Sequence, residues 1–467
     1  MSTMFLLAKR LSAISILPFL AQTKEAEGFF WGKKTSDSDI KALDRGSVYF
    51  WGFGTYQARP DSKTQFINFT PKKITLAEYD SGSKEKFSEA IPKFRDVVFN
   101  SRNGFGLDLE GKVWAFENRR IPSFVDTEDR SSFVVHNKTQ VNRDNMLNHL
   151  RDLELKEKIT KIAITKRMLW ALSHKGDLYS INLEQLQQDL NSKPKLAWKK
   201  LMTIKDLKDI AAGKGHILML KKNGQLFSMG NDTYGQCGLG DAGRSSSGSF
   251  VKMKVPNPEL VTAFTDKKID RIFANGNHSF VITDNKQVYG FGSNKYLQIS
   301  HEKEYSDMIN PKLAFYTPVN FAKYLEVNKC DLQDIALGKE SSFFVCKHKE
   351  TKLSQIFGCG LNTHGQLGDG RTKHITDFEK IDNLSDYTIT TPEGDRPMEF
   401  KKLTCGDGHC LALTSTGALL TWGENEHGEL GNKKRSYSTK PLLVTAFKNA
   451  NIIDIKADFH NNYVWTE

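Results

Sequence analysis

The sequence predicts an all-β fold, a seven-bladed β-propeller in which the two ends of the chain share one blade. A unit of short apolar strands and tight turns recurs seven times along the 467 residues, which is the sequence signature of radial repetition. The chain also opens on the second half of such a unit and closes on a first half. Helix is expected only in short inserts and in an N-terminal leader.

The clearest unit occupies residues 209–241. Apolar runs at 210–212, 216–220 and 226–229 predict three strands, and the pair Asn223-Gly224 separates the last two runs. Asn-Gly between apolar runs is a strong hairpin signal, because both residues tolerate the positive φ that a tight turn requires. One such unit cannot bury its apolar faces alone, so it is expected to stack against its copies.

The third strand of each unit gives the phase of the repeat. Its copies start as little as 48 residues apart (178 to 226) and as much as 68 residues apart (288 to 356). Units of several short strands at this spacing predict seven blades, each a small antiparallel sheet. The seven starts are Val48, Val113, Leu178, Leu226, Val288, Ile356 and Leu419.

The repeat motif combines Gly-x-x-His, an apolar run, a glycine turn, a strand ending in Trp-Gly, and an exit loop Asn-x-x-Gly-Gln-Leu-Gly. Residues 362–368 (NTHGQLG) match the exit loop letter for letter. Over roughly residues 45–467 this pattern resembles the repeat of the regulator of chromosome condensation family. The resemblance implies a propeller fold. Units two and three depart from the motif, with Phe116-Glu117 and Ile181-Asn182 in place of Trp-Gly, which indicates a specialised interface.

The two ends of the sequence complement each other. Residues 45–52 form the second half of a unit, and residues 451–467 form a first half. Unjoined end blades would expose bare strand edges, which lose hydrogen bonds and invite aggregation. We therefore expect the two segments to pair into one sheet. In this alignment His460 takes the repeat-histidine position and Asp458 the position of the repeat glycine.

Longer segments interrupt the units. A helix-like stretch spans 145–158, and residues 183–190 predict a second short helix. Residues 293–329 and 382–400 are expected to be loops, the latter with the turn signal Pro392-Glu393-Gly394. Long loops on a rigid scaffold often carry function.

Residues 1–24 contain no acidic residue and carry Lys9, Arg10 and Lys24. Apolar residues on one helical face make this segment typical of a mitochondrial presequence or of an amphipathic helix that anchors to a membrane surface. A secretory signal is the alternative. The apolar run is too short to span a bilayer, and Pro18 interrupts it. Residues 25–44 are interpreted as a linker, and residues 45–467 as the propeller.

The net charge of +11 and the pI near 9.1 allow binding to phosphate-bearing or acidic partners. The charge is spread along the chain, so a nucleic-acid partner is not favoured. The six cysteines show no Cys-x-x-Cys spacing and are expected to be reduced, structural residues without a metal.

The repeat histidines His216, His278, His409 and His460 invite a metal interpretation. They occupy one equivalent position in different blades, so they should lie around the ring instead of converging. We expect each imidazole to bond a backbone carbonyl within its own blade. The repeat glycines should occupy positions that a Cβ atom would strain or crowd. These glycines are Gly213, Gly276, Gly338 and Gly406.

No catalytic, cofactor-binding or metal-binding residue emerges from the sequence, and no enzyme activity is predicted. The resemblance implies a non-catalytic protein-interaction scaffold, a subunit or assembly factor of a mitochondrial membrane-associated complex. It also implies an alternative, guanine-nucleotide exchange on a small or dynamin-like GTPase, since the founding member of the family acts on the GTPase Ran. Chromatin binding is a third interpretation. Mitochondria are the predicted location, with the secretory pathway and the nucleus as alternatives.

Overall fold

A computed structural model describes residues 47–53, 67–79, 85–88, 93–99, 104–116, 132–137, 150–189, 198–240, 254–299, 314–386, 388–391, 394–448 and 450–467. Within these ranges the chain is a seven-bladed β-propeller, as predicted. Seven sheets, each built on four antiparallel strands, follow one another around the ring, and residues 132–137 add a parallel strand to the sheet of blade 1. The predicted leader (1–24) and linker (25–44) lie outside the described residues.

Blade 1 is shared by the two ends of the described chain. Its strands are β1 (Ser47–Phe53), β2 (Ile67–Tyr79), β3 (Glu85–Ser88), β7 (Ser132–Asn137), β31 (Ile452–Asp458) and β32 (Asn461–Thr466). The strand order is β2-β1-β32-β31, and β3 and β7 also pair with β2. Val48 pairs with Trp465 and Trp51 with Asn462, which confirms the predicted closure.

In blades 2 to 4 the first strand of each sheet lies at the ring axis and the fourth at the rim, because the first strands of successive blades pack side by side. Blade 2 consists of β4 (Phe94–Phe99), β5 (Gly104–Asp108), β6 (Val113–Phe116) and β8 (Leu150–Asp152). Blade 3 consists of β9 (Ile159–Ile164), β10 (Met168–Ser173), β11 (Leu178–Asn182) and β12 (Lys199–Lys200). Blade 4 consists of β13 (Leu207–Ala212), β14 (His216–Lys221), β15 (Leu226–Asn231) and β16 (Lys254–Leu260).

Blades 5 to 7 repeat this order, and buried aromatic and aliphatic side chains fill the space between neighbouring sheets. Blade 5 consists of β17 (Ile269–Asn275), β18 (His278–Thr283), β19 (Val288–Ser293) and β20 (Ala314–Asn320). Blade 6 consists of β21 (Cys330–Leu337), β22 (Ser341–His348), β23 (Ser354–Gly360) and β24 (Ile375–Lys380). Blade 7 consists of β27 (Phe400–Cys405), β28 (His409–Thr414), β29 (Leu419–Gly423) and β30 (Ser438–Leu443).

The antiparallel strand order gives the ring two unlike faces. The loop between the first and second strands and the exit loop after the third strand lie on one face, which we call the exit-loop face. The turn between the second and third strands and the connection to the next blade lie on the opposite face, which we call the turn face. The hairpin of β25 (Thr388–Thr391) and β26 (Gly394–Pro397) belongs to the turn face, because it sits in the connection between blades 6 and 7.

In the part of the chain that the structure describes, helix is confined to short inserts. The predicted helix at 183–190 is confirmed as α1 (Leu183–Asp189), and a helix that the sequence did not predict, α2 (Ala322–Val327), follows β20. Three-residue 3-10 turns occur at Thr262–Phe264, Asp382–Leu384 and Thr445–Phe447. None of the helices within the described ranges has the length and apolarity needed to cross a bilayer.

The helix expected at 145–158 is wrong where the structure describes it. Residues 150–152 form β8 instead, and Leu150 pairs with Phe116 at the rim of blade 2. A fourth strand satisfies the open hydrogen-bonding edge of β6, and this gain outweighs the helical periodicity of the local sequence. Residues 293–329 and 382–400, expected to be loops, likewise contain β20, α2 and the β25–β26 hairpin.

The expectation that all six cysteines are reduced is wrong for four of them. Cys330 and Cys346 join β21 to β22, and Cys405 and Cys410 join the end of β27 to β28, both pairs as disulfides. Cys237 and Cys359 are free and buried. The two disulfides could not be predicted from the sequence, because each depends on strand register and not on a recognisable cysteine spacing.

The inner strands carry a ring of alternating charge. Each bears a β-bulge at the same place, and the bulged position directs a charged side chain toward the neighbouring blade. Lys161 Nζ lies 2.6 Å from Asp209 Oδ1, and Lys402 Nζ lies 2.7 Å from Asp454 Oδ1. The ring consists, in order, of Asp96, Lys161, Asp209, Arg271, Asp334, Lys402 and Asp454.

Asp454 and Asp96 are neighbours in this ring, because blade 1 adjoins blade 2. A lysine two residues farther along β31 compensates: Lys456 Nζ lies 2.7 Å from Asp96 Oδ1. Burial by itself lowers the pKa of Lys456, but Asp96, Asp458 and Asp454 together raise it. The lysine therefore stays charged at the point where the ring closes.

Candidate functional site

The exit loops of blades 4 to 7 share one hydrogen-bond pattern. The side-chain oxygen of an Asn or Asp accepts a hydrogen bond from the backbone N–H of the residue five positions later. Leu367 N–H donates to Asn362 Oδ1 (3.0 Å), and Leu430 N–H donates to Asn425 Oδ1 (2.9 Å). A Gln or Glu side chain accepts the N–H two residues before it, as from His364 to Gln366 Oε1 (2.8 Å). The repeat motif thus encodes a self-supporting loop.

The repeat histidines connect neighbouring blades. His216 Nε2 lies 2.8 Å from Ser279 Oγ in blade 5, and that hydroxyl donates to the backbone carbonyl of Gln236 in blade 4 (3.0 Å). His278 bonds Ser342 in the same way (2.9 Å), and Ser342 donates to Gln298 (2.6 Å). Burial lowers the pKa of both histidines to about 3, so both are neutral structural residues.

Two expectations about these histidines are corrected. Their described partners are side chains of the next blade, where backbone carbonyls of the same blade were expected. His460 also does not take the repeat-histidine position: His409 pairs with Gly423, whereas Asn461 pairs with the equivalent Gly52. Since side chains alternate along a strand, this offset of one residue sends His460 to a different environment.

The prediction for the repeat glycines is confirmed. A Cβ atom on Gly406 would lie 2.4 Å from both His409 Cε1 and the carbonyl oxygen of Phe459, and one on Gly213 would lie 2.2 Å from His216 Cε1. Gly276 has a φ of +49° and faces the carbonyl oxygen of Lys339. The histidine and the next blade occupy the space that a side chain would need.

The junction of blades 7 and 1 carries a cluster of His427, Glu429 and His460 on the exit-loop face. Both imidazoles face one carboxylate oxygen: Glu429 Oε1 lies 3.2 Å from His427 Nδ1 and 3.0 Å from His460 Nδ1. The backbone N–H of His427 donates to Glu429 Oε2 (2.8 Å). The three potential ligand atoms lie within 4.8 Å of one another, so the structure brings together a site that the sequence did not predict.

The cluster places a charge in the interior. The side chain of Glu429 is 0% exposed. Burial by itself raises the pKa of this carboxyl, but hydrogen bonds from His427 and His460 hold it well below its usual range. Burial likewise opposes protonation of His460, yet Glu429 and Asp407 raise the pKa of His460 above its ordinary value. The carboxylate is ionised and requires a cationic partner.

The large exposed apolar side chains among the described residues are divided unequally between the faces. Leu109 (41% exposed), Met202 (66%) and Val327 (74%) lie in turns or connections of the turn face. Tyr437 (49%) lies in the exit loop of blade 7, where it packs edge-on against His364. Three of these four side chains therefore lie on the turn face.

Comparison with known proteins identifies the class. Models of the regulator of chromosome condensation (RCC1) repeat match residues 207–236, 269–298 and 400–429, and a second model of the same repeat matches residues 223–282 and 416–457. These matches fall on blades 4, 5 and 7 and reach into β31 of blade 1. RCC1 repeats are therefore identified in these parts of the propeller, as the resemblance of the motifs indicates.

Over 474 aligned residues the chain is 22% identical to the human E3 ubiquitin-protein ligase HERC2, covering 97% of this chain and 8% of HERC2. Among solved structures, Saccharomyces cerevisiae Prp20p aligns with a TM-score of 0.62 at 16% identity, covering 93% of this chain and 95% of that one. Human WBSCR16 aligns with a TM-score of 0.59 at 15% identity, covering 90% and 98%. The chain thus spans less than a tenth of HERC2, and the structural neighbours establish the fold.

Proposed function

We propose that this chain is a non-catalytic scaffold that binds protein partners through the turn face of the propeller. The observation that carries the proposal is that the large apolar side chains Leu109, Met202 and Val327 are each exposed on that face. In contrast, the polar groups of the repeat motif are engaged in the loops and blade junctions of the ring itself. Exposed apolar side chains on a rigid ring are suited to partner binding.

Substitution of these residues tests the scaffold role. The triple variant Leu109→Glu, Met202→Glu and Val327→Glu should fold with an unchanged melting temperature but lose the partners that co-purify with the native chain. Tyr437→Glu, on the exit-loop face, is the matched control and should retain them. The measurement is quantitative mass spectrometry of cross-linked native complexes. Retention of every partner by the triple variant would exclude the turn face.

We further propose that the partner is a multi-subunit, membrane-associated complex in mitochondria. The support is the basic segment 1–24 with Lys9 and Arg10, which is typical of import signals. A reporter fused to this segment should enter mitochondria, and Lys9→Glu with Arg10→Glu should abolish entry. Delivery of the reporter to the secretory route would contradict this location.

Guanine-nucleotide exchange is the second candidate. It is favoured by the structural likeness to Prp20p, whose reported structure is described together with its binding to Gsp1p. An exchange factor would accelerate release of labelled GDP from a small GTPase in proportion to its own concentration. If the purified chain leaves release unchanged for a panel of small and dynamin-like GTPases, the scaffold role is the one that stands.

A further inference from the structure

We infer that His427, Glu429 and His460 form a binding site for one divalent transition-metal ion of the Zn²⁺ type, which links blade 7 to blade 1. The site joins the exit loop of blade 7 to the loop between β31 and β32. It offers two imidazole nitrogens and one carboxylate oxygen, the donor set that Zn²⁺ commonly takes in proteins.

The other blades of the same chain show that the turn does not require these residues. At the position of Glu429 the exit loops of blades 4 to 6 carry Gln236, Gln298 and Gln366, and each accepts the same backbone N–H at 2.8 to 2.9 Å. A neutral amide therefore suffices to close the loop. Glu429 adds only a negative charge, and it does so at a fully buried position.

The histidine positions differ between blades. Blades 4 and 5 have Tyr234 and Tyr296 in place of His427, whereas blade 6 has His364 there beside a neutral Gln366. The loop position of His460 holds Gly215, Asn277, Glu340 and Gly408 in blades 4 to 7. The buried carboxylate and both imidazoles thus occur together at the junction of blades 7 and 1, although 31 residues separate His460 from Glu429.

The distances suit a metal. In a tetrahedral Zn²⁺ site with bonds of about 2.1 Å, neighbouring ligand atoms lie about 3.4 Å apart. Glu429 Oε1 lies 3.2 Å from His427 Nδ1 and 3.0 Å from His460 Nδ1, so small rotations of the rings would admit an ion between them. Glu429 Oε2 is held by the backbone N–H of His427, which orients the carboxylate as outer-shell hydrogen bonds do at known metal sites.

The ion would place a positive charge beside the buried Glu429 carboxylate, and the two imidazoles would bind it as neutral donors. Three protein ligands leave one coordination position for water or for a group from a partner. Because the ligands come from loops of two neighbouring blades that meet only in the folded ring, the ion would bind the folded ring and not the unfolded chain, and it would thereby raise the melting temperature.

The test is a titration of the full chain with Zn²⁺ after treatment with a chelator, followed by calorimetry and by thermal unfolding. We expect one ion per chain and a Zn²⁺-dependent rise in melting temperature. Glu429→Gln restores the residue of the other blades and should weaken binding at least about 100-fold. His427→Tyr and His460→Asn, also taken from the other blades, should abolish the rise in melting temperature. His364→Tyr, in the exit loop of blade 6 beside Gln366, is the control and should bind as the native chain does.

Two results would overturn the proposal. One is the absence of Zn²⁺ binding tighter than about 100 μM in the folded native chain, which would leave a protonated histidine as the counter-charge of Glu429. The other is binding of one ion that survives Glu429→Gln and His460→Asn, which would place the ion elsewhere. If Glu429→Gln does not fold, His427→Tyr decides the question, since its position tolerates tyrosine in blades 4 and 5.

Discussion

The junction between blades 4 and 5 and the junction between blades 7 and 1 use the same connection with different side chains. At the first, His216 bonds Ser279, which donates to the carbonyl of Gln236. At the second, His409 bonds Asn462 Oδ1 (2.8 Å), and Asn462 Nδ2 donates to the carbonyl of Glu429 (2.7 Å). The backbone acceptor is constant, whereas the bridging side chain varies.

The junction of blades 7 and 1 is also the more heavily bonded of the two. Trp51 Nε1 donates to the same Glu429 carbonyl (2.8 Å), and Glu429 itself holds His427 and His460. Blades 7 and 1 are joined by the short connection from β30 to β31, and Trp51 belongs to β1, which closes the ring by pairing with β32 inside blade 1. The difference between the two junctions shows that blade 7 is fixed to the shared blade by side-chain contacts that the junction of blades 4 and 5 does not use.

The largest effect is expected from deletion of residues 451–467. This change removes β31 and β32 and leaves β1 and blade 7 with open edges. Cooperative unfolding should be lost and protease resistance should fall sharply. Deletion of residues 1–24 is the control and should leave both properties close to those of the full chain. Equal stability of the two truncated proteins, in thermal unfolding, would show that the closure does not support the ring.

Gly406→Ala should destabilise the fold by about 3 kcal/mol, because its Cβ would collide with His409 and with the backbone of blade 1. Gly215→Ala is a matched control in blade 4, where the nearest atom to the new Cβ is Asn231 Cβ at 3.3 Å. That variant should change stability by less than about 0.5 kcal/mol. Chemical denaturation measures both values, and similar losses would refute the argument from crowding.

Lys456→Met should cost about 2 kcal/mol, because it leaves Asp96, Asp454 and Asp458 close together without their cation. Lys286→Met removes a lysine whose side chain is 77% exposed and lies 3.7 Å from Asp331, so its effect should be close to zero. The difference between the two variants should persist in high salt, since the pair of Lys456 is largely shielded from solvent. Equal losses of stability in the two variants would show that Lys456 has no special role in the ring of charges.

Asp232→Asn should stabilise the ring above pH 6 by about 1 to 2 kcal/mol. Burial raises the pKa of Asp232 to about 6, above the value of about 3.9 in an unfolded chain. The folded state therefore binds the extra proton between about pH 4 and 6, and the native chain loses stability as pH rises through that window. Asn occupies the same position in blades 5 to 7. Denaturation curves of the two proteins should converge below about pH 4, and parallel curves would contradict this assignment.

The smallest effect concerns cysteine chemistry. Alkylation of the native chain should modify neither Cys237 nor Cys359, because both are buried, and alkylation after denaturation without reductant should modify both. Reduction should expose four more thiols, from the pairs of blades 6 and 7. Mass spectrometry gives the count. Six thiols without reductant would restore the expectation of reduced cysteines and disfavour an oxidising compartment.

Much of the ring was predictable from sequence. The seven third strands, with starts within two residues of those predicted, and the pairing of the two end segments into one sheet follow from the phase of a repeat, because a propeller adds blades at nearly constant geometry. The crowding at Gly406 follows in the same way. These features depend on what the units share.

What the sequence could not predict depends on how the units differ. His460 stands one residue before the histidine position, and only the pairing of Asn461 with Gly52 reveals this offset. His427 and Glu429 lie two residues apart, and the replacement of the repeat Gln by Glu429 is readable in the sequence. The cluster becomes recognisable only when the structure places His460 beside them. The two disulfides, β8 and α2 likewise depend on tertiary contacts that a single repeat does not encode.

The alternating charges of the inner strands impose a condition of parity. Signs can alternate without conflict around an even number of members, but seven members force one pair of like neighbours, here Asp454 and Asp96. Lys456 relieves this frustration at the junction where the ends of the ring are joined. A ring enlarged by one cationic blade between blades 1 and 2 would need no such lysine. The pair of like charges on the inner strands, with its compensating lysine, is thus a consequence of the odd number of blades. It does not depend on the hydrophobic repeat that builds the blades.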